Sequence, residues 1–170
     1  MNSKKNLIFL GMMGAGKSSI GYLVSKKLNL SFIDMDNLIE HEIGMKVSKI
    51  FEKMGEKYFR NLEEKITLKV LKKDNHVISL GGGSFINKKI RKEIIGNHLS
   101  FWLNWDDEIL LKRIKGSKKR PLAFNSTNIE MKNLIKKRSK IYSKAKFKIN
   151  CDKLTQSEIV KNIIKIYELH

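Results

Sequence analysis

Short apolar runs alternate along the chain with longer stretches in which apolar residues recur every three or four positions. The short runs predict buried strands, and the three-to-four spacing predicts amphipathic helices. Strands are predicted at 7–10, 32–34, 76–80, 99–103 and 147–150. Helices are predicted near 17–28, 37–43, 47–54, 56–70, 87–95, 106–114, 131–142 and 159–166, with stops at Gly44 and Gly55. Strands and helices alternate without an internal repeat or linker, which predicts one α/β domain over 1–170 with a five-stranded parallel sheet and helices on both faces.

The composition fits one domain of ordinary globular type. The chain has 170 residues, 41% of them apolar, which is enough for a core. No apolar run approaches the length of a membrane span, and the first one leads directly into a glycine-rich turn, so we interpret it as a strand and expect no membrane partner. The single cysteine, Cys151, excludes an intrachain disulfide and favours a cytoplasmic location, and we expect it to serve packing.

The charge is strongly positive, at +18, with thirty lysines and only five arginines. One interpretation is a basic nucleic-acid-binding module, which would bind DNA or RNA with a steep salt dependence. However, the lysines are spread along the whole chain, and aromatic residues do not alternate with basic clusters. We therefore favour a solvated cationic surface and expect no nucleic-acid partner. In a chain this rich in lysine, an arginine is informative, because its planar fork can bind in ways that an ammonium group cannot.

Residues 11–18 read Gly-Met-Met-Gly-Ala-Gly-Lys-Ser and fit the pattern G-x-x-x-x-G-K-[ST] between a strand and a helix. The glycines let backbone N–H groups curl around phosphate oxygens, and the helix N-terminus adds partial positive charge. Lys17 can reach the β- and γ-phosphates, and the Ser18 hydroxyl can ligate Mg²⁺. The motif predicts binding of a nucleoside triphosphate, and we assign that contact to Gly14, Ala15, Gly16, Lys17, Ser18 and Ser19.

Asp34 and Asp36 follow the second predicted strand, where ligands bind in open α/β sheets. They are placed to act on Mg²⁺ or on a substrate hydroxyl, although Asp36 could instead cap a helix that begins at Asn37. Further along, Arg60 and Glu63 are within reach of each other on a helix surface, where the pair could simply be solvated. The three glycines 81–83 after the third strand allow close approach by a ligand, or form a flexible turn.

Residues 116–127 have no clear periodicity, and loops of this length are often lids or binding segments. Arg120 would carry charge into a site when such a loop closes, and Pro121 would stiffen it; a disordered surface loop is the alternative. Arg138 falls in phase with Leu134 and Tyr142 on the apolar stripe of the next helix. An arginine in that position needs an anionic partner, either an internal carboxylate or a bound anion.

Taken together, these residues resemble the shikimate kinase family over nearly the whole chain. Six motifs match in order: the turn at 11–18, Asp34 with Asp36, Phe59-Arg60 with Glu63, Gly81-Gly82-Gly83, Arg120-Pro121-Leu122, and Lys137-Arg138 followed by Tyr142. The resemblance implies ATP-dependent phosphorylation of the shikimate 3-hydroxyl, giving 3-phosphoshikimate and ADP, in aromatic amino-acid (chorismate) biosynthesis. It also implies a three-layer P-loop kinase fold with a substrate-binding helical segment near 35–62 and a mobile lid near 116–127. A monomer with one Mg²⁺ per subunit is expected.

The resemblance also implies roles for individual residues. Shikimate would be bound by Asp36, Arg60, Gly82 and Arg138, and ATP by the 14–19 turn together with Arg113 against the adenine. Lys17 and Arg120 would neutralise charge on the transferring phosphoryl group. Asp36 would orient the nucleophilic hydroxyl and Asp34 would act on Mg²⁺ through water, but either could be the base, and the resemblance does not decide between them. Of the five arginines, only Arg91 has no counterpart in the family's set of ligand contacts.

Other enzymes of the same fold are the main alternatives. A gluconate kinase or a nucleotide kinase would share the phosphate-binding turn, but the acceptor residues suit a carboxylated polyol ring better. A GTPase is disfavoured because no N-K-x-D motif is present. Three features depart from common family patterns: the bulky pair Met12-Met13 inside the turn, an Asn/Ser-rich stretch after Arg120-Pro121-Leu122, and a weak match near Asp152-Lys153 on the adenine side.

Overall fold

The computed structural model describes residues 5–115 and 126–170. In these residues a single sheet is formed by five strands, β1 Leu7–Leu10, β2 Ser31–Asp34, β3 His76–Ser79, β4 Leu99–Asn104 and β5 Phe147–Asn150. All neighbouring strands are parallel, in the order β2-β3-β1-β4-β5. This confirms the predicted five-stranded parallel sheet. Strand β1 is central and its four side chains are buried, so the turn that follows it emerges between the carboxyl ends of β3 and β4.

Helices connect the strands, as parallel pairing requires. The described residues contain α1 Lys17–Leu28, α2 Met35–Ile43, α3 Val47–Leu71, α4 Lys88–Asn97, α5 Asp107–Lys115, α6 Asn128–Tyr142 and α7 Gln156–Glu168, together with a short 3₁₀ helix, Ser84–Ile86. The predicted stop at Gly55 is confirmed as a break inside α3, where Gly55 has φ 80° and ψ 166°. No helix in the described part of the chain is long and apolar enough to cross a membrane.

Helix α1 packs on the sheet through a narrower face than its apolar residues predict. Ile20 and Val24 are buried, but Leu23 is 37% exposed. Gly21 takes part in the contact instead, because a Cβ there would lie 2.9 Å from the ring of Phe32. The lack of a side chain at Gly21 lets the helix backbone approach the sheet closely, and this fixes the position of the phosphate-binding turn at the N-terminus of α1.

Helix α2 begins two residues earlier than predicted. Asp34, at the end of β2, has an extended backbone, and its Oδ1 accepts a hydrogen bond of 3.1 Å from the Asn37 N–H. Asp34 is therefore the N-cap, and the alternative in which Asp36 caps a helix beginning at Asn37 is wrong. The capping geometry requires an extended residue just before the helix, and Asp36 already lies in the first turn. Its carboxylate is left available for another role.

Candidate active site

The 11–18 turn curls back on itself at the carboxyl end of β1. Gly11, Gly14 and Gly16 have φ values of 140°, 82° and 86°, which favour glycine. A Cβ at Gly11 would also lie 2.9 Å from the Leu103 carbonyl oxygen of neighbouring β4. Lys17, in the first turn of α1, extends its Nζ across the loop to within 3.0 Å of the carbonyl oxygens of Gly11 and Met12. The ammonium group therefore lies inside the concave face of the turn.

Three side-chain oxygens from different elements meet beside this turn. Ser18 Oγ on α1 donates a hydrogen bond of 2.5 Å to Asp34 Oδ2 at the end of β2, and it lies 3.5 Å from Ser79 Oγ at the end of β3. Oxygen ligands of this kind suit Mg²⁺. No group of three or more His, Cys, Asp or Glu side chains in the described residues could hold a metal, so an ion here would need further oxygens from a bound phosphate. The sequence analysis missed Ser79, although it ends a buried strand just before the three glycines.

Asp36 faces the same space with a different environment. None of the described residues donates a hydrogen bond to its carboxylate. Its surface is open to the pocket, yet the surrounding walls remove enough solvent to raise its pKa to about 6. Burial is the largest cause; Lys17 opposes it, and the nearby carboxylates of Asp34 and Glu63 add to it. Asp36 is thus a carboxylate that is free to accept a proton near neutral pH.

Arg60 and Glu63 form an ion pair that is not the solvated surface pair considered above. Arg60 Nη1 lies 2.7 Å from Glu63 Oε2, and Glu63 is only 2% exposed. The other carboxylate oxygen of Glu63 accepts a hydrogen bond of 2.5 Å from Ser84 Oγ. Burial lowers the pKa of Arg60, but the carboxylates of Glu63 and Glu56 outweigh it and raise the pKa overall. The guanidinium is therefore a permanent cation held in a fixed position.

Glycines 81–83 pack directly against Asp36 and Arg60. A Cβ at Gly81 would lie 2.7 Å from Asp36 Oδ1, and one at Gly83 would lie 2.5 Å from Arg60 Nη1. The Tyr142 hydroxyl, which is buried, donates a short hydrogen bond to the Gly82 carbonyl oxygen. Burial raises the pKa of Tyr142 to about 12, so it remains a donor at neutral pH. The stretch is thus an anchored, tightly packed turn and not a flexible one.

Arg138 lies on α6 next to this turn. Its Nη1 is 4.0 Å from Met12 Sδ and would be 3.5 Å from a Cβ at Gly82. Arg138 forms no ion pair within 5–115 and 126–170. Of the two partners that the sequence left open for it, an internal carboxylate is not found among the described residues. The other alternative, a bound anion, stays a prediction.

Two further groups flank the turn on its other side. The Arg113 guanidinium stacks on Trp105, 3.9 Å from the ring centre, and its Nη1 lies 3.4 Å from the Gly14 carbonyl oxygen. Trp105 Nε1 donates a hydrogen bond of 2.9 Å to the Ala15 carbonyl oxygen. A flat cationic surface therefore borders the phosphate-binding turn.

Cys151 is buried and its pKa is raised to about 12 by burial, so it stays a thiol and serves packing, as predicted.

These elements enclose a pocket of about 260 Å³ at the carboxyl edge of the sheet. It is lined by Met13, Gly14, Gly16, Lys17, Ser18, Ser19, Asp34, Asp36, Ser79, Leu80 and Gly82. The structure thus brings the phosphate-binding turn, both aspartates and Gly82 together. Arg60 and Arg138 lie just beyond the glycines, and Arg113 lies on the opposite side of the turn. Arg120 and nearly all of the predicted lid lie outside the described residues.

The phosphate-binding turn lies at the carboxyl edge of a parallel sheet with the strand order β2-β3-β1-β4-β5. It faces carboxylates and an arginine that has no ion pair among the described residues. This combination defines a P-loop kinase of small molecules. The family model described as shikimate kinase matches residues 13–168. The chain belongs to the shikimate kinase family.

Individual relatives agree with this assignment. The chain is 38% identical to shikimate kinase of Thermodesulfovibrio yellowstonii over 96% of its length and 95% of that protein. It is 40% identical to the Bartonella quintana enzyme over 95% of its length and 78% of that protein. The crystal structure of shikimate kinase from Aquifex aeolicus superposes with a TM-score of 0.85 at 37% identity and 96% coverage of both chains. Shikimate kinase from Acinetobacter baumannii, solved in complex with shikimate, superposes with a TM-score of 0.89 at 28% identity, covering 97% of this chain and 93% of that one.

More distant kinases share only the fold. A gluconokinase from Sinorhizobium meliloti superposes with a TM-score of 0.61 at 16% identity. That likeness extends over 99% of this chain, but identity this low says nothing about the acceptor. The gluconate-kinase alternative therefore gains no support beyond the shared architecture.

Proposed function

We propose that this enzyme transfers the γ-phosphoryl group of ATP to the 3-hydroxyl of shikimate, giving 3-phosphoshikimate and ADP, in aromatic amino-acid biosynthesis. The observation that carries the proposal is a pocket lined both by Lys17, from the phosphate-binding turn, and by Asp36, whose carboxylate accepts no hydrogen bond from the described residues. Groups suited to the phosphoryl donor and to the acceptor thus line the same small space.

The ATP side is formed by residues 14–19. Backbone N–H groups of the turn and of the α1 N-terminus would bind the phosphates, and Lys17 would neutralise charge on the transferring group. Ser18 would ligate one Mg²⁺ directly and Asp34 would do so through water; the oxygen cluster formed with Ser79 fits such an ion. Bound Mg²⁺ would offset charge on the phosphate oxygens. Arg113, stacked on Trp105, would lie against the adenine.

Binding and phosphorylation of shikimate require hydrogen-bond donors for its carboxylate and a base for its 3-hydroxyl. Arg60 and Arg138 would bind the carboxylate with charge-assisted hydrogen bonds, and the Gly82 N–H would add a third donor. Arg138 supports this role because it lies beside Gly82 and has no ion pair among the described residues. Asp36 would hold the ring hydroxyls and orient the 3-hydroxyl for in-line attack.

The structure favours Asp36 over Asp34 as the base. Both oxygens of Asp34 are occupied, one by the Asn37 N–H and one by the Ser18 hydroxyl. The carboxylate of Asp36 accepts no hydrogen bond from the described residues, and its pKa of about 6 lies near the operating pH of an efficient general base. We therefore assign the proton acceptor to Asp36 and the Mg²⁺-side role to Asp34.

The remaining parts of the proposal rest on the family resemblance and on composition. Arg120, in a lid near 116–127, would reach the transferring phosphoryl group, and the segment near 35–62 would close over shikimate. A single domain over 1–170, a monomeric state and a cytoplasmic location, which the lone cysteine favours, belong to the same proposal. No nucleic-acid role is assigned to the positive charge.

The test is ADP release by the purified protein with Mg-ATP, measured with and without shikimate. Gluconate and nucleoside monophosphates serve as control acceptors. We expect strong stimulation by shikimate and none by the controls. ATP binding without stimulation by shikimate would retain the phosphate-binding site and overturn the assignment of the acceptor.

A further inference from the structure

Arg91 is the arginine to which neither the sequence nor the proposed function assigns a role. It lies in the first turn of α4, where the helix dipole disfavours a cation. It takes part in no ion pair within the described residues. Its hydrogen-bond partner lies elsewhere in the fold.

That partner is backbone. Arg91 Nη1 donates hydrogen bonds of 2.9 Å to the Phe85 carbonyl oxygen and 2.8 Å to the Ile86 carbonyl oxygen. These two carbonyls end the 3₁₀ helix Ser84–Ile86, and the last carbonyls of a helix lack partners within it. The guanidinium therefore closes the C-terminal end of this short helix with a charged donor, which makes stronger bonds than a neutral one.

The same short helix continues directly from Gly81–Gly83 and carries the substrate-side contacts. Two residues before it, the Tyr142 hydroxyl donates a hydrogen bond to the Gly82 carbonyl oxygen. Ser84 Oγ binds Glu63, and Glu63 in turn holds Arg60. The segment is thus fixed at one end by Tyr142 and at the other by Arg91. Movement at the Arg91 end would displace both the Gly82 N–H and the support of Arg60.

We propose that Arg91 is a positioning residue for the acceptor: by binding the Phe85 and Ile86 carbonyls, it holds the 81–86 segment where Gly82 and the Glu63–Arg60 pair meet the shikimate carboxylate. The inference rests on the proposed function for the identity of the acceptor, but the clamp itself is a structural feature of the chain.

The use of arginine here is consistent with the chemistry of the contact. The neighbours Lys88, Lys89 and Lys92 show the residue that this chain uses by default. A lysine at position 91 would be about one bond shorter than arginine, although an ammonium group can donate to two adjacent carbonyls, as Lys17 Nζ does to those of Gly11 and Met12. Because Arg91 donates both hydrogen bonds from Nη1 at the end of its longer side chain, we expect the ammonium group of the Arg91→Lys variant to fall short and to make longer, weaker bonds to the two carbonyls.

The experiment compares Arg91→Met and Arg91→Lys with the control Lys92→Met, which removes an exposed charge from the same helix. For Arg91→Met we expect the KM for shikimate to rise about tenfold, because two charge-assisted hydrogen bonds are lost. The KM for ATP should change less than about twofold, since the phosphate-binding turn is untouched. Arg91→Lys should fall between wild type and Arg91→Met, and Lys92→Met should match wild type.

Amide hydrogen exchange gives a second measurement that does not depend on turnover. The Ile86 and Asn87 N–H groups bond to Gly83 and Ser84 inside the segment, at 3.0 and 3.1 Å. In Arg91→Met their exchange should accelerate about tenfold, while exchange in α1 stays as in wild type. Unchanged exchange and an unchanged shikimate KM would overturn the inference, as would equal rises in both KM values. If shikimate does not stimulate ADP release by the wild-type protein, the proposed function is wrong. The exchange data would still decide whether Arg91 holds the 81–86 segment.

Discussion

The Arg60–Glu63 pair allows the structural and the binding roles of Arg60 to be separated. Replacing Arg60 by methionine removes the cation beside Glu63, whose side chain is only 3% exposed in the intact pair. Removing one partner of a buried pair costs about 3–5 kcal/mol of unfolding free energy. Ser84 still donates to Glu63 in this variant, so we expect a cost at the lower end, about 3 kcal/mol.

The reverse change should cost less. In Glu63→Gln the amide oxygen can still accept from Ser84, and Arg60, with a side chain 29% exposed, keeps Glu56 and water as partners. We expect a loss of about 1 kcal/mol. The double variant removes the unpaired charge along with its partner, so it should be more stable than Arg60→Met by about 1–2 kcal/mol.

Urea unfolding of the four proteins, measured without ligands, gives the coupling energy, and the KM for shikimate is measured in parallel. Both proteins that lack Arg60 should bind shikimate poorly, and the second substitution should restore stability but not binding. Strictly additive unfolding costs would refute the buried-pair reasoning. Recovery of shikimate binding in the double variant would show that Arg60 acts only by supporting the fold.

Three further changes test the site. Because Asp36 must be ionised to accept a proton and its pKa is about 6, kcat/KM for shikimate should fall about tenfold per unit below pH 6; a profile flat down to about pH 4.5 would contradict the assignment of the base. Gly81→Ala places a Cβ 2.7 Å from Asp36 Oδ1 and should abolish turnover, whereas Gly96→Ala, with nothing within 4 Å, should retain it; comparable activities in steady-state assays would contradict the packing argument. Arg113→Ala should raise the KM for ATP about three- to tenfold through loss of a cation–π-ordered surface and leave the KM for shikimate unchanged; the opposite pattern would place Arg113 on the acceptor side.

Much of the fold follows from local pattern. The apolar run 7–10 between a charged start and a glycine turn predicts a buried central strand, and the structure has all four side chains buried. The break at Gly55 follows from the same kind of local information, because it depends on one residue's backbone freedom. The exposure of Leu23 cannot be predicted from local pattern, because it depends on how closely α1 approaches the sheet at Gly21. The cap of α2 was also ambiguous, because Asp34 and Asp36 are both good capping residues.

The site divides in a similar way. The phosphate-binding turn is contiguous, so its chemistry can be predicted from eight residues. The anchoring of the acceptor side cannot, because it joins residues far apart in sequence. Ser84 meets Glu63 across 21 positions, and Tyr142 meets the Gly82 carbonyl across 60. The sequence gives little indication of a hydrogen bond from a side chain to a backbone carbonyl, because every residue supplies such an acceptor.

The sparse arginines are the exception, because their type reveals contacts that spacing does not. In this lysine-rich chain, Arg60 and Arg113 are in settings where an ammonium group would serve less well. Arg60 binds two carboxylates through different nitrogens, and Arg113 lies flat on an indole ring. Arg91 bonds two adjacent carbonyls from Nη1 alone, so there the advantage of arginine is its longer reach. Arg138 lies beside Gly82, where its guanidinium could donate two parallel hydrogen bonds to a planar anion. A drift toward lysine across the surface would leave arginine only where geometry demands it. On that argument we expect the remaining arginine, Arg120, to have a functional role, and its replacement by lysine should not be a conservative change.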